Sequence, residues 1–347
     1  MKRFIVSRAV LILLFALVNI SCGSQSGAKA DQIIRTVQPN SSATYKAGDK
    51  ITFSFTAISK IDSAQLFIND SYVMSNKSRT FSYKTDALAL PGMQSYKIIA
   101  YRKGKFHEKK GRFKLLPSTE PKHATPTVKA NINRSRDSYT QGLEFYDGRL
   151  YESSGEYGKS YIKMMEFPTL KTIKRVDLED EYFAEGLTIL NDKLYLLTWQ
   201  EHKAFVYDAK TLELITEHRY DSDGWGLTND GEYLYMSDGS SFIYKIEPKT
   251  FKTVERIEVL TPEGGMININ ELEWIDGKIW ANVYGYEMIL VINPTSGVVE
   301  YILHCNDLLR PEEKDVTTDV LNGIARNPKD GKVYITGKNW PKIFLID

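Results

Sequence analysis

Between residues 33 and 116 hydrophobic side chains fall at every second position in short runs: Ile51-Phe53-Phe55, Ala64-Leu66-Ile68, Phe81-Tyr83, Tyr96-Ile98-Ala100 and Phe113-Leu115. A strand sends successive side chains to opposite faces, so this period of two, broken by turn residues such as Lys103-Gly104, predicts antiparallel strands with one buried face. The span suits a small immunoglobulin-like β-sandwich. No Asp, His, Cys or Gly cluster with catalytic spacing occurs in it, so it reads as a spacer or interaction module. Three prolines follow within residues 116–126. Proline fixes φ and removes a backbone donor, so residues 117–126 read as a linker.

From residue 127 onward the hydrophobic pattern repeats. Its leading phrase is Gln141-Gly142-Leu143-Glu144, then Glu185-Gly186-Leu187-Thr188, Trp225-Gly226-Leu227-Thr228, Asn270-Glu271-Leu272-Glu273 and Asn322-Gly323-Ile324-Ala325, with starts 44, 40, 45 and 52 residues apart. Each phrase leads to a turn pair (Asp147-Gly148, Asn191-Asp192, Asp230-Gly231, Asp276-Gly277, Asp330-Gly331) and a second β-rich run, which makes a hairpin. Third strands follow, such as Ala204-Phe205-Val206-Tyr207-Asp208. Four antiparallel strands per unit of about 40 residues, five times over and without helical periodicity, predict a five-bladed β-propeller spanning 127–347. The fold class expected is therefore all-β. The last unit ends at Asp347 after three strands, so residues 127–132 are expected to supply its outer strand and close the ring.

The register also locates a site. The start of a blade's first strand and the end of its second lie at the same end of the channel. The residues before the repeated glycine form one ring: Gln141, Glu185, Trp225, Asn270 and Asn322. A second ring, thirteen residues past the glycine position (fifteen in the last unit), holds Gly155, Trp199, Gly239, Tyr284 and Lys338. Equivalent positions are thus filled with a carboxylate, a cation, amides and aromatics, which is what a polar small-molecule pocket requires. The blander alternative is a wet channel end whose polar residues merely satisfy one another.

The N-terminus reads MKRFIVSRAVLILLFALVNISC, a basic start followed by an apolar run too short to span a bilayer. Residues 1–21 read as a lipoprotein signal peptide, with Cys22 lipidated and residues 22–32 a flexible tether. An exported protein, anchored in a bacterial membrane and facing the periplasm or cell surface, is the expectation. Of 347 residues, 42% are hydrophobic and 12% aromatic, which supports real cores and excludes disorder. Lys and Arg number 45 against 44 Asp and Glu, so no global basic field points to nucleic acid. The two cysteines and five histidines show no metal-ligand spacing. Cys305 reads as a buried free thiol.

At the ring positions the chain resembles the plant-type glutaminyl-peptide cyclotransferases. The matching phrases include Tyr139-Thr140-Gln141-Gly142-Leu143, Phe183-Ala184-Glu185-Gly186-Leu187-Thr188, Leu197-Thr198-Trp199, Gly224-Trp225-Gly226-Leu227-Thr228, Asn270-Glu271-Leu272-Glu273, Leu321-Asn322-Gly323-Ile324-Ala325 and Thr336-Gly337-Lys338-Asn339-Trp340-Pro341. Together they cover about residues 126–347 and leave the sandwich unexplained. Tyr284 stands where that family usually has Trp. The resemblance implies a monomeric, cofactor- and metal-independent enzyme that converts an N-terminal Gln of a peptide or protein to pyroglutamate and releases ammonia. It places the general acid/base on Glu185, with Gln141, Trp199, Trp225, Asn270 and Lys338 as pocket residues. Chemistry then makes Lys338 and Asn270 catalytic as donors to a developing oxyanion, and Tyr139, Tyr284 and Asn322 are expected to bind substrate with Gln141, Trp199 and Trp225. The competing readings are a non-catalytic propeller holding a peptide or glycan at the same mouth, and a metal-dependent lactonase-type propeller.

Overall fold

The computed structural model describes residues 32–347, so the segment with the expected signal peptide and Cys22 lies outside the described residues. The described chain is all-β. Its one helical element is a 3-10 turn at Pro311–Glu313.

The first part is two sheets around one core. A three-stranded antiparallel sheet orders Ile34–Gln38, Lys50–Ala57 and Thr80–Lys84. A five-stranded sheet orders Thr44–Lys46, Lys105–Leu116, Gly92–Arg102, Ser63–Ile68 and Ser71–Asn76. The alternating hydrophobic positions all turn inward, so Ile51, Phe53, Phe55, Leu66, Phe81, Ile98, Phe113 and Leu115 share one buried cluster. Tyr96 is buried among them because its hydroxyl finds the Pro39 carbonyl at 2.6 Å.

The second part consists of five successive antiparallel sheets, propeller-like in arrangement. The first four begin with Thr140–Tyr146, Ala184–Leu190, Leu227–Asn229 and Ile269–Ile275, each followed in order by its next three strands. The fifth orders Leu321–Arg326, Val333–Gly337, Lys342–Ile346 and, returning from the other end of the chain, Val128–Asn133. Each first strand contacts the first strand of the next sheet, and the fifth contacts the first. Hairpins between first and second strands turn on pairs with positive φ at both positions: Asp147 and Gly148, Asn191 and Asp192, Asp276 and Gly277. That is type I′ geometry, whose twist matches the strands.

The repeated glycine answers to the approach of these inner strands. A Cβ on Gly142 would lie 2.5 Å from the Leu187 nitrogen, one on Gly186 2.5 Å from the Leu227 nitrogen, and one on Gly226 2.0 Å from the Asn270 oxygen. Each glycine admits the backbone of the following sheet. Hydrogen bonds then stitch the seam: Gly186 N–H donates to the Trp225 carbonyl at 2.6 Å, Ser153 Oγ to the Glu185 carbonyl at 2.6 Å, and Ser237 Oγ to the Asn270 carbonyl at 2.7 Å. Where the fourth unit carries Glu271 in place of glycine, its carboxylate accepts from Ile324 N–H at 2.9 Å, and Glu273 accepts from Arg326 N–H at 2.7 Å. The carboxylate here does the bridging that close backbone contact does elsewhere.

Two features of the joint between the parts depart from the linker reading. Lys122–Ala124 forms a short strand parallel to Val299–His304 on the outer edge of the fourth sheet. Its side chains fix it there: His123 Nδ1 lies 2.8 Å from His304 Nε2, and Lys122 sits over the Tyr301 ring. A three-residue strand between Pro121 and Pro126 has no periodicity to betray it. Charge also divides sharply, because residues 33–116 carry 15 Lys and Arg against 5 Asp and Glu, whereas residues 117–347 carry 26 against 38. The balanced total hides this polarity. The parts meet through complementary pairs, Lys114 with Glu258 at 2.6 Å and Lys46 with Glu263 at 4.0 Å.

Gly226→Ala is expected to lower the melting temperature by about 5–10 °C, because backbone must move to admit the methyl group. Gly265→Ala, whose Cβ would meet side chains and no backbone, Ser241 at 3.1 Å and Glu258 at 3.8 Å, should stay within about 2 °C of the parent. Equal melting temperatures for the two variants in calorimetry would contradict the close-approach account.

Candidate functional site

At one end of the inner strands lies a cavity of about 390 Å³. Eight of the nine ring and motif residues singled out from the sequence line it: Tyr139, Gln141, Glu185, Trp199, Trp225, Asn270, Tyr284 and Lys338. Asn322 does not. It is fully buried behind the wall, where its Nδ2 donates to the Thr140 carbonyl at 2.8 Å and to Gln141 Oε1 at 3.4 Å. Gln141 Nε2 in turn donates to Glu185 Oε1 at 3.3 Å. Asn322 thus sets the Gln141 amide so that its donor end faces the carboxyl, and no described group hydrogen-bonds Glu185 Oε2.

Two lining residues, Glu156 and Phe183, escaped the ring analysis. The signal was present in the glycines. A Cβ on Gly155 would lie 2.3 Å from Phe183 Cε1, and one on Gly239 2.7 Å from Trp225 Cζ2. Ring positions without side chains are places where a neighbouring aromatic ring lies across the gap. Phe183 is the hub of the wall, with its centroid 5.6 Å from Trp199, 5.3 Å from Tyr157 and 6.5 Å from Tyr139, all edge-on. On the far side Trp225 meets Tyr284 edge-on at 5.8 Å, and Tyr284 is 40% exposed at the rim.

Electrostatically the site is a dry pair of opposite charges. Glu185 is 6% exposed and Lys338 is 3% exposed. Burial pushes the Glu185 carboxyl well above the ordinary range, Lys338 pulls it back down, and Glu201 and Asp223 add a smaller upward push. Burial likewise lowers the Lys338 ammonium, against the upward influence of Glu185 and Asp319. Removal from water therefore dominates for both. Lys338 is held by aromatic faces, its Nζ 4.6 Å from the Tyr139 centroid and 5.4 Å from that of Tyr284. Tyr139 is fixed by donating its hydroxyl to Asp319 at 2.7 Å. A carboxyl that burial holds above its ordinary range, facing a cation and an amide inside aromatic walls, can exchange protons with a bound polar group while the cation and amide stabilise a developing oxyanion.

A contrast lies one strand away. Burial alone would raise the Glu152 carboxyl, but Arg134 at 2.6 Å and Lys163 at 2.8 Å hold it down at about 2. Glu152 is a permanent anion with structural work, whereas Glu185 is free to titrate. Among the described residues no group of three or more His, Cys, Asp or Glu is placed to hold a metal ion.

A sequence profile of the glutamine cyclotransferase family matches residues 100–347. The chain belongs to this family. The matched region begins near the end of the strand Gly92–Arg102, earlier than the motifs at 126–347, so from the first part it takes in three residues of that strand and all of Lys105–Leu116. A glutaminyl-peptide cyclotransferase of Arabidopsis thaliana is 35% identical over 226 residues, covering 63% of this chain and 70% of that one. A crystal structure of Myxococcus xanthus glutaminyl cyclase matches with a TM-score of 0.62 at 30% identity, covering 66% of this family member and 98% of that chain.

The protonation state of Glu185 has a consequence for stability. Its pKa is higher folded than unfolded, so above the ordinary carboxylate range the native state binds more protons and Glu185 costs stability as pH rises. Glu185→Gln, neutral and of the same shape, should be more stable than the parent at pH 8, with the gap widening from pH 5 by up to about 1.4 kcal/mol per pH unit. A gap in thermal or urea unfolding that stays flat across this range would refute the raised pKa.

Proposed function

We propose that this chain is a glutaminyl-peptide cyclotransferase that closes the N-terminal Gln of a peptide or protein into pyroglutamate and releases ammonia. The single observation that carries the mechanism is the buried Glu185 carboxyl facing Lys338 inside the aromatic pocket. The α-amine has an ordinary pKa of roughly 7.7 to 8.0. A free amine beside protonated Glu185 and an ammonium beside ionised Glu185 therefore hold the same number of protons, and the pair can enter in either form.

Trp199 and Trp225 sandwich the two methylenes of the Gln side chain, which favours the folded-back conformer and keeps out competing water. The amine nitrogen attacks the side-chain amide carbon, and the carbonyl π electrons move to its oxygen. Lys338 and the amide of Asn270 donate to that oxyanion. The sequence runs from the free amine and protonated Glu185, which the ammonium and carboxylate reach by one proton transfer. Glu185 delivers its proton to the departing nitrogen, and the oxyanion's electron pair re-forms the carbonyl as the carbon–nitrogen bond breaks with neutral ammonia leaving. Glu185 then takes a proton from the attacking nitrogen. The five-membered lactam remains on the peptide. Gln141 keeps Glu185 Oε1 occupied, which directs the exchange to Oε2.

The same reading takes the second part as a five-bladed propeller closed by Val128–Asn133, and the first as an immunoglobulin-like sandwich. Five four-stranded units in a closed order of contact support the former, and two sheets over one core support the latter. It also takes the mature protein as exported and anchored through a lipid on Cys22, with peptide or protein N-termini as partners and no resident cofactor.

Purified protein given a Gln-initiated peptide should shift it by the mass of one ammonia. Glu185→Gln should lower kcat by about 10²- to 10⁴-fold with little change in peptide affinity, the range expected for loss of proton transfer. Wild-type turnover by this variant would remove Glu185 from its role. Cys22→Ser should abolish a lipid adduct and membrane fractionation, and unchanged fractionation would end the anchoring proposal.

A further inference from the structure

The charged groups around the pocket opening are predominantly acidic. Glu156 lines the cavity itself. Glu201 accepts a hydrogen bond from Tyr157 Oη at 2.9 Å and another from the backbone N–H of Phe183 at 3.4 Å, which ties it to the aromatic wall. Asp319 accepts from Tyr139, and Asp223 acts with Glu201 on the Glu185 carboxyl from nearby. Of the nearby cations, Arg136 donates to Thr318, which precedes Asp319, at 3.0 Å and is paired with Asp315 at 3.3 Å. Lys338 is buried on the pocket wall, and Lys159 is an exposed partner of Glu156 at 3.1 Å. The nearby Arg136 and Lys159 are paired with Asp315 and Glu156 and not with Glu201, Asp223 or Asp319. The acidic bias extends to the whole of residues 117–347, with 26 basic against 38 acidic residues.

None of these four carboxylates is needed for ring closure. Glu185 already supplies the proton exchange, and added negative charge near the site only raises its carboxyl further. Their position matters instead to whatever follows the Gln residue. Once the Gln side chain is packed between Trp199 and Trp225, the rest of the peptide must leave through the opening. An extended chain advances about 3.3–3.6 Å per residue, so the second and third residues pass the rim. There a cationic side chain meets a net excess of carboxylates, and an anionic one meets net repulsion, since Lys159 is already engaged by Glu156 and Lys338 lies beneath the bound Gln.

We propose that the enzyme is selective for peptides with Lys or Arg at the second or third position and discriminates against Asp and Glu there, through Glu156, Glu201, Asp223 and Asp319. This rests on the cyclotransferase reading of the pocket. The effect acts on encounter and binding, so it appears in kcat/KM more than in kcat, and it is screened by salt because the rim is open to solvent.

The test measures kcat/KM of the full chain for three peptides that differ only at the second residue, Gln-Lys, Gln-Ala and Gln-Glu, each followed by the same neutral tail, at about 20 mM and about 500 mM NaCl. At low salt the Lys peptide should exceed the Glu peptide about tenfold with Ala between them, and at high salt the ratio should fall to about twofold. Glu201→Gln combined with Asp223→Asn should compress the low-salt ratio toward the high-salt value, and the salt series on the parent decides the matter even if that variant folds poorly. Equal rates for the three peptides at low salt, or a ratio indifferent to salt, would overturn the selectivity while leaving the cyclotransferase reading intact. Failure to cyclise any of them would overturn both.

Discussion

Everything at the site depends on how closely the inner strands approach. With Gly226 admitting the Asn270 carbonyl and Gly142 and Gly186 admitting the next strand's nitrogens, the first strands meet as bare backbone. The side chains before these three glycines, Gln141, Glu185 and Trp225, then have no space between the strands and project into the cavity at their end. Glu185 lies between two such seams, with its own carbonyl capped by Ser153 and the following N–H bonded to Trp225. A carboxyl placed there keeps little contact with water, with 6% of its surface exposed in the cavity. Its raised pKa is a direct result of packing that the repeat imposes for other reasons.

The dryness has two effects that oppose each other. It strengthens the attraction between Glu185 and Lys338, because fewer solvent dipoles screen them. It also penalises each charge more than that attraction recovers, so both groups shift toward neutrality. A fully ionised, hydrogen-bonded pair such as Arg134 and Glu152 is a rigid strut. An under-bonded pair is a proton store, and the price is stability above the carboxylate range. The aromatic faces of Tyr139 and Tyr284 suit this arrangement, since they hold a lysine without the hydrogen bonds that would lock its proton in place.

Much of this was legible in the sequence for a specific reason. A repeat turns one position into five, so the residues before the glycine could be recognised as a ring without knowing any contact, and eight of nine chosen residues meet at one cavity. Asn322 shows where the method stops, because equivalence of position along the strand does not fix whether a side chain lines the pocket or supports its neighbour. Phe183 and Glu156 were missed because each is displaced from the register by one or two places, and Phe183 fills the gap that Gly155 leaves. The strand at Lys122–Ala124 depends on pairing with a segment some 180 residues away, and the charge polarity of the two parts was lost in a total that nearly cancels. Long-range and subtractive features leave no local pattern.

The most direct test of the account is the protonation of Glu185 itself. Infrared difference spectra between the parent and Glu185→Gln, recorded from pH 5 to pH 9, isolate this carboxyl from Glu271 and Glu273, which burial also raises. The account predicts a protonated carboxyl band near neutral pH that is absent from the variant and disappears only as the pH is raised above the ordinary carboxylate range. An ionised carboxylate signal already complete at pH 5 would mean that Glu185 is an ordinary surface-like acid, and the mechanism built on its burial would fail.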